Sequence, residues 1–225
     1  MIALILILGL VSFLIACPAT WVVLRLSHRA GAFDSAPIEG QVKAQSRRIP
    51  NTGGIAIALG VLVPMLVAAI GFSILDADAL PGFLDPVREY LPGLRSMLPL
   101  GWTLIACVLG LHVLGLIDDR RPMGPMGKLV IMLVPGLIFA TLFDTRLMTL
   151  FDGYVGGTWL SVIVTVLWFT AIINAMNFID NMDGLSGGIA LIAGTMLLIA
   201  TLLNGQWFVA AVCALLVGSV LGFLV

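Results

Sequence analysis

The chain has 225 residues, 60% of them hydrophobic and only 10% charged, against roughly a quarter charged in soluble domains. A net charge of −1, with Lys and Arg scattered instead of forming one stripe, excludes the nucleic-acid-binding classes and leaves the lipid bilayer as the main solvent. Cys17, Cys107 and Cys213 sit in apolar runs without paired spacing or nearby ligands, so they read as small core residues.

A spanning helix needs about 20 mostly apolar residues, and seven such runs follow one another, at about 2–25, 53–75, 99–117, 127–143, 158–178, 187–203 and 207–225. Lipid offers no partner to backbone N–H and C=O groups, so each run is expected to be an α-helix. The expected fold class is all-α, a polytopic membrane protein of about seven transmembrane helices, with residues 1–225 forming a single domain. The first run is too long for a signal-peptide core and has no positive residue before it, so it reads as a retained span. Between the second and third runs, residues 76–98 carry Pro81, Pro86, Pro92 and four acids, which suits a surface loop with one short interfacial helix. Residues 144–158, with Gly153, Gly156 and Gly157, are expected to turn as a small hairpin.

Seven spans place the connecting segments alternately on two sides. One side collects Arg25, Arg29, Lys43, Arg47, Arg48, Arg120, Arg121 and Lys128, eight of the eleven basic residues. By the positive-inside rule that side is cytoplasmic and the N-terminus lies outside. Trp102, Trp159 and Trp207 fall at the outer ends of spans, as an aromatic belt requires.

Three polar segments on the cytoplasmic side hold almost every side chain capable of catalysis. The first, DSAPIEGQVKAQSRRIPNTGG (34–54), sets Lys43, Arg47 and Arg48 before a Gly pair at the mouth of the second span. These cations suit a diphosphate, or equally an anchor on anionic headgroups. The second, LGLIDDRRPMGPMGKL, ends the third span on Asp118 and Asp119 and opens the fourth near Lys128. Adjacent carboxylates at a membrane boundary need compensation. Mg²⁺, which takes one or two carboxylates plus phosphate oxygens, would supply it; alternatively one carboxylate could hold metal while the other acts as base toward a phosphate nucleophile, or both could form a solvated helix end paired with Arg120 and Arg121. The third, NAMNFIDNMDGLSGG, crowds Asn174, Asn177, Asp180, Asn181 and Asp183 between two apolar runs. At helical spacing Asn174, Asn177 and Asn181 share a face. Amides can glue membrane helices together, but two acids with no Lys or Arg in the segment point to a bound cation or a cationic partner loop. Carboxylates, metal and cations gathered at one membrane surface suit phosphoryl transfer to or from a lipid. His28 and His112 stand alone, and no P-loop, Ser nucleophile elbow or zinc His-Glu pair is present.

These three segments resemble, in order, spacing and membrane side, the polyprenyl-phosphate N-acetylhexosamine-1-phosphate transferase family, which includes UDP-GlcNAc enzymes and the phospho-MurNAc-pentapeptide translocase. IPNTGG (49–54) resembles the close of the family's first cytoplasmic loop, GLIDDRRPMGPMGKL its Asp-Asp motif with a downstream Lys, and NAMNFIDNMDGLSGG its Asn-x-x-Asn-x-x-Asp-x-x-Asp-Gly-Leu motif. The resemblance implies that Asp118, Asp119, Asp180 and Asp183 are catalytic, with Mg²⁺ on Asp118, Asp119 and Asp183. It implies substrate contacts from Lys43, Arg47, Arg48, Lys128, Asn174 and Asn177. The implied partners are a UDP-N-acetylhexosamine and undecaprenyl phosphate, and the implied place is the bacterial cytoplasmic membrane, with the active face cytoplasmic. Two departures stand out. Gln45 occupies the position of a His that many relatives carry five residues before the loop Pro. The chain stops at Val225 within an apolar run, where relatives continue with a further Gly-Asp motif and a His-rich loop, so the resemblance implies a C-terminally incomplete domain. The loop RRIPNTGG lacks the Thr-Pro-Thr-Met-Gly-Gly form expected of the muramoyl-pentapeptide enzyme, which favours UDP-GlcNAc. The competing classes are a non-catalytic membrane scaffold and a secondary transporter; the latter usually binds near the midplane on repeated halves, and no halves match here.

Overall fold

The computed structural model describes residues 1–30, 52–74, 88, 90–121, 123–180 and 184–225. Among them are seven long helices: α1 Ile2–Ala30, α2 Gly54–Ile74, α3 Leu98–Arg120, α4 Pro125–Leu142, α5 Trp159–Ile179, α6 Leu185–Leu203 and α7 Trp207–Leu224. All seven are long and apolar enough to cross a membrane, and the described residues contain no strand. The all-α, seven-span expectation is met, with boundaries within a few residues except where a helix outlasts its apolar run. Thus α1 continues through Arg25 and Arg29, and α3 through Asp118 and Asp119. Hydropathy marks where lipid ends, whereas backbone hydrogen bonding marks where the helix ends. At 1.5 Å per residue α1 extends about 43 Å, beyond a hydrocarbon core of about 30 Å.

A short helix, Leu91–Ser96, starts on Pro92 in its first turn, as expected for the segment before α3. Residues 144–158 differ from expectation. In place of a hairpin they form a 3₁₀ turn, Thr149–Phe151, followed by one helical turn, Asp152–Val155, ended by Gly156 in the left-handed region at φ 73°.

The chain groups into two compact units, Met1–His112 with Gly187–Val225, and Val113–Ser186. In the first, α1, α2 and α7 pack through small residues. A Cβ added at Gly218 would stand 2.0 Å from the Gly9 carbonyl oxygen, so the α1 and α7 backbones touch there. Such approach is the usual packing mode of membrane helices, for which lipid-facing Leu provides no driving force. Pro64 within α2 has no N–H for the Gly60 carbonyl one turn earlier. The fully buried Ser12 of α1 places its Oγ 2.8 Å from that carbonyl oxygen and 2.6 Å from the Leu215 oxygen of α7. Ser219 of α7 donates to the Ile57 oxygen of α2 at 2.8 Å.

In the second unit α4 packs on α5. Phe139 stacks on Phe169 with ring centres 5.9 Å apart, and Thr170 Oγ1 donates to the Val166 oxygen at 2.8 Å. Both units turn large apolar side chains outward, among them Leu14, Val67, Leu167 and Ile192, while Ser12, Ser161, Thr165 and Ser219 are inside. That inversion of the soluble pattern suits a chain solvated by lipid.

Candidate active site

The turn between α3 and α4 is built by one carboxylate. Asp118, in the last turn of α3, accepts the Met123 N–H on Oδ1 at 2.9 Å, and its Oδ2 forms an ion pair with Lys128 in the first turn of α4. Gly124 is extended and Pro125 occupies the first helical turn, where its missing N–H costs nothing and its fixed φ favours the helix. The compensation that adjacent acids require therefore comes, for Asp118, from Lys128 across the turn; Arg120 and Arg121 are exposed. Removing either partner would leave a charge at the membrane boundary. Asp119 is exposed beside Asp118.

The third polar segment begins inside α5, which stays helical through Ile179. Asn174 and Asn177, three positions apart, are neighbours on the helix surface, the first half-buried and the second exposed. Asp180 follows as the C-terminal cap, its N–H bonded to the Met176 oxygen at 3.2 Å. Its carboxylate accepts the Ser186 hydroxyl at 2.6 Å. Two candidate membrane spans, α4 and α5, separate the α3–α4 turn from the C-terminal end of α5. Both lie within the Val113–Ser186 unit.

Lys43, Arg47, Arg48 and Asp183 lie outside the described residues, as does Asn181. The closing end of the first loop is described, in the other unit. Thr52 pairs its hydroxyl with that of Ser27 near the end of α1, tying together the two ends of the basic segment. A Cβ at Gly53 would lie 2.8 Å from the Phe223 ring of α7, which accounts for the first glycine of the pair.

Among the described residues no three His, Cys, Asp or Glu side chains gather as a metal site. Mg²⁺ does not need three: one or two carboxylates suffice when phosphate and water oxygens complete its shell. Asp118 and Asp119 are hard oxygen donors next to one another in sequence, and they fit that chemistry.

One polar cluster was not foreseen. Arg146, with only a tenth of its side chain exposed, donates Nε to Asp144 Oδ1 at 2.7 Å. Its Nη1 reaches Asp152 Oδ2 at 2.5 Å and Ser161 Oγ at 2.6 Å. The hydrogen bonds it donates to Asp144 and Asp152 push the guanidinium above its ordinary value, and the Ser161 hydroxyl, then Arg146, hold the Asp152 carboxyl below its own. Leu147 N–H bonds Thr165 Oγ1 at 2.8 Å. This is a staple fastening residues 144–158 onto the start of α5. Its sequence signal was a lone Arg between two Asp in an otherwise apolar stretch.

Comparison with known proteins yields a family match whose range contains the second and third polar segments. The profile described as glycosyl transferase family 4 matches residues 101–225, more than half of the chain. A Bacillus subtilis (strain 168) protein named "Probable undecaprenyl-phosphate N-acetylglucosaminyl 1-phosphate transferase" is 27% identical over 221 residues, 96% of this chain and 53% of its own length. A decaprenyl-phosphate N-acetylglucosaminephosphotransferase of Mycolicibacterium smegmatis is 29% identical, over 96% of this chain and 52% of that protein. A phospho-N-acetylmuramoyl-pentapeptide-transferase of Bacillus cytotoxicus is 30% identical, over 85% and 56%. The chain spans about half the length of these curated relatives. No solved structure matches it.

Proposed function

Because the chain belongs to glycosyl transferase family 4, we propose that it serves the transfer of an N-acetylhexosamine-1-phosphate, GlcNAc-1-phosphate by preference, from a UDP-sugar to undecaprenyl phosphate with release of UMP. The observation that carries this reading is that the Asp118–Lys128 pair and the Asn174, Asn177, Asp180 stripe stand at the ends of apolar helices within the same Val113–Ser186 unit, two candidate spans apart. A lipid-borne phosphate and a water-borne nucleotide can meet only at the boundary, and these polar groups occupy the ends of apolar helices.

In the proposed reaction an oxygen of the lipid phosphate forms a bond to the β-phosphorus of the UDP-sugar. The bond from that phosphorus to the bridging oxygen breaks, and UMP leaves with the electron pair. The product is a polyprenyl diphosphate sugar. Lys43, Arg47, Arg48 and Lys128 offset phosphate charge, Asn174 and Asn177 hold the nucleotide sugar, and Asp180 orients it. Mg²⁺, held by Asp118, Asp119 and Asp183, would neutralise charge developing on the phosphoryl oxygens. The absence of the Thr-Pro-Thr-Met-Gly-Gly form from the first loop supports GlcNAc over the muramoyl pentapeptide. The bacterial relatives support the bacterial inner membrane, and the positive-inside count supports an active face on the cytoplasmic side.

The test is UMP release from UDP-GlcNAc by the purified protein with undecaprenyl phosphate in detergent. Release should require Mg²⁺, stop on chelation, and fall at least about a hundredfold in Asp118→Asn, as loss of a group acting on transition-state charge implies. A folded protein that releases no UMP from any UDP-N-acetylhexosamine would overturn the reading.

A further inference from the structure

Asp180 closes α5 and α6 begins at Leu185, and a side-chain bond joins the two ends, from Ser186 Oγ to Asp180 Oδ1 at 2.6 Å. That length is within the ordinary range of an O–H···O hydrogen bond. The return is made through Gly184, whose φ of 72° is a left-handed conformation that glycine adopts without strain. Ser186 stands in the first turn of the 19-residue α6, at the positive end of the helix dipole, where a tethered carboxylate is favoured. Asp180 itself is exposed, so packing does not select its rotamer. Ser186 follows the Asp-Gly-Leu that ends the third motif and is none of the residues assigned above to substrate or metal.

We propose that Ser186 is the positioning residue for Asp180: its hydroxyl holds Oδ1 and so turns the other carboxylate oxygen, Oδ2, toward the nucleotide sugar. The inference rests on the transferase reading and adds to it the group that fixes one of its carboxylates. A freely rotating carboxylate must be ordered in each turnover, whereas a tethered one is ordered beforehand.

The experiment compares wild type, Ser186→Ala, Ser186→Thr, Asp180→Asn and the Ser186→Ala/Asp180→Asn double variant. It reads kcat and KM for UDP-GlcNAc with undecaprenyl phosphate, together with the thermal unfolding midpoint in the same detergent. Ser186→Ala should lower kcat about tenfold, the scale of one hydrogen bond to a charged group. KM should stay within about twofold and the midpoint should not move, because an exposed bond contributes little to stability. Ser186→Thr, which keeps the hydroxyl, should restore most of the rate. In the Asp180→Asn background the Ser186→Ala change should cost nothing further, since there is no carboxylate left to aim. An active wild type with an equally active Ser186→Ala overturns the inference and leaves the transferase reading standing. The same holds for a Ser186→Ala loss that Thr does not rescue, or one that adds in full to Asp180→Asn. A folded wild type without transfer overturns both.

Discussion

Asp118 shows how much one side chain can decide at a membrane boundary. Its two oxygens engage a backbone N–H five residues on and an ammonium ten residues on, and so fix the turn that carries Asp119 and Lys128. The doublet and the downstream Lys were both legible as candidates. Their mutual pairing was not, because i to i+10 contact exists only once the chain has turned at Gly124 and Pro125. Arg146 gives the opposite lesson: its segment promised a Gly-rich hairpin, and the hydrogen bonds of one guanidinium imposed helical turns. The staple has a pH dependence of definite sign. Asp152 is held below its ordinary carboxylate value, so its contribution to stability is complete above that value, about 3.9. It is lost as pH falls from there through the lower folded value. Unfolding midpoints in detergent between about pH 6 and pH 2 should therefore fall more steeply with acid for wild type than for Asp152→Asn.

At the scale of the helix, the apolar runs specified seven elements because lipid leaves a backbone no alternative to internal hydrogen bonding. Which faces meet is set by small residues, and hydropathy does not register those. Gly218→Ala should lower the unfolding midpoint, since its Cβ would meet the Gly9 carbonyl at 2.0 Å and force α7 off α1. Overpacking of this kind costs roughly 1–3 kcal/mol. Gly110→Ala in α3, with nothing within 4 Å of the added carbon, should be neutral or slightly stabilising. The break at Pro64 makes a second test. Ser12→Ala leaves the Gly60 carbonyl without its donor, at a cost of about 1 kcal/mol. The same substitution should cost less in a Pro64→Ala background, where the helix supplies its own N–H. Equal costs in the two backgrounds would show that Ser12 acts on Leu215 alone.

For the molecule as a whole, the charge count proposes an orientation, and two exposed sites test it. Tyr154 and Met126 are 87% and 70% exposed. In a variant lacking Cys17, Cys107 and Cys213, a membrane-impermeant thiol reagent should label Tyr154→Cys in intact cells and Met126→Cys only after permeabilisation. The reverse pattern would invert the topology. Trp102, Trp159 and Trp207 each fall in the first turns of α3, α5 and α7, where the belt argument needs them.

The sequence by itself determined the solvent, the helical class, the number of spans, the three polar segments and the family they resemble. All of these follow from composition and from residues close together along the chain. Tertiary structure alone decided that Lys128 is the counter-charge of Asp118, that Ser186 tethers Asp180, that Ser12 serves the carbonyl freed by Pro64, and that Gly53 and Gly218 face a ring and a backbone. Each of these depends on a distance of a few ångströms between residues that folding brings together, and no pattern along the chain encodes such a distance.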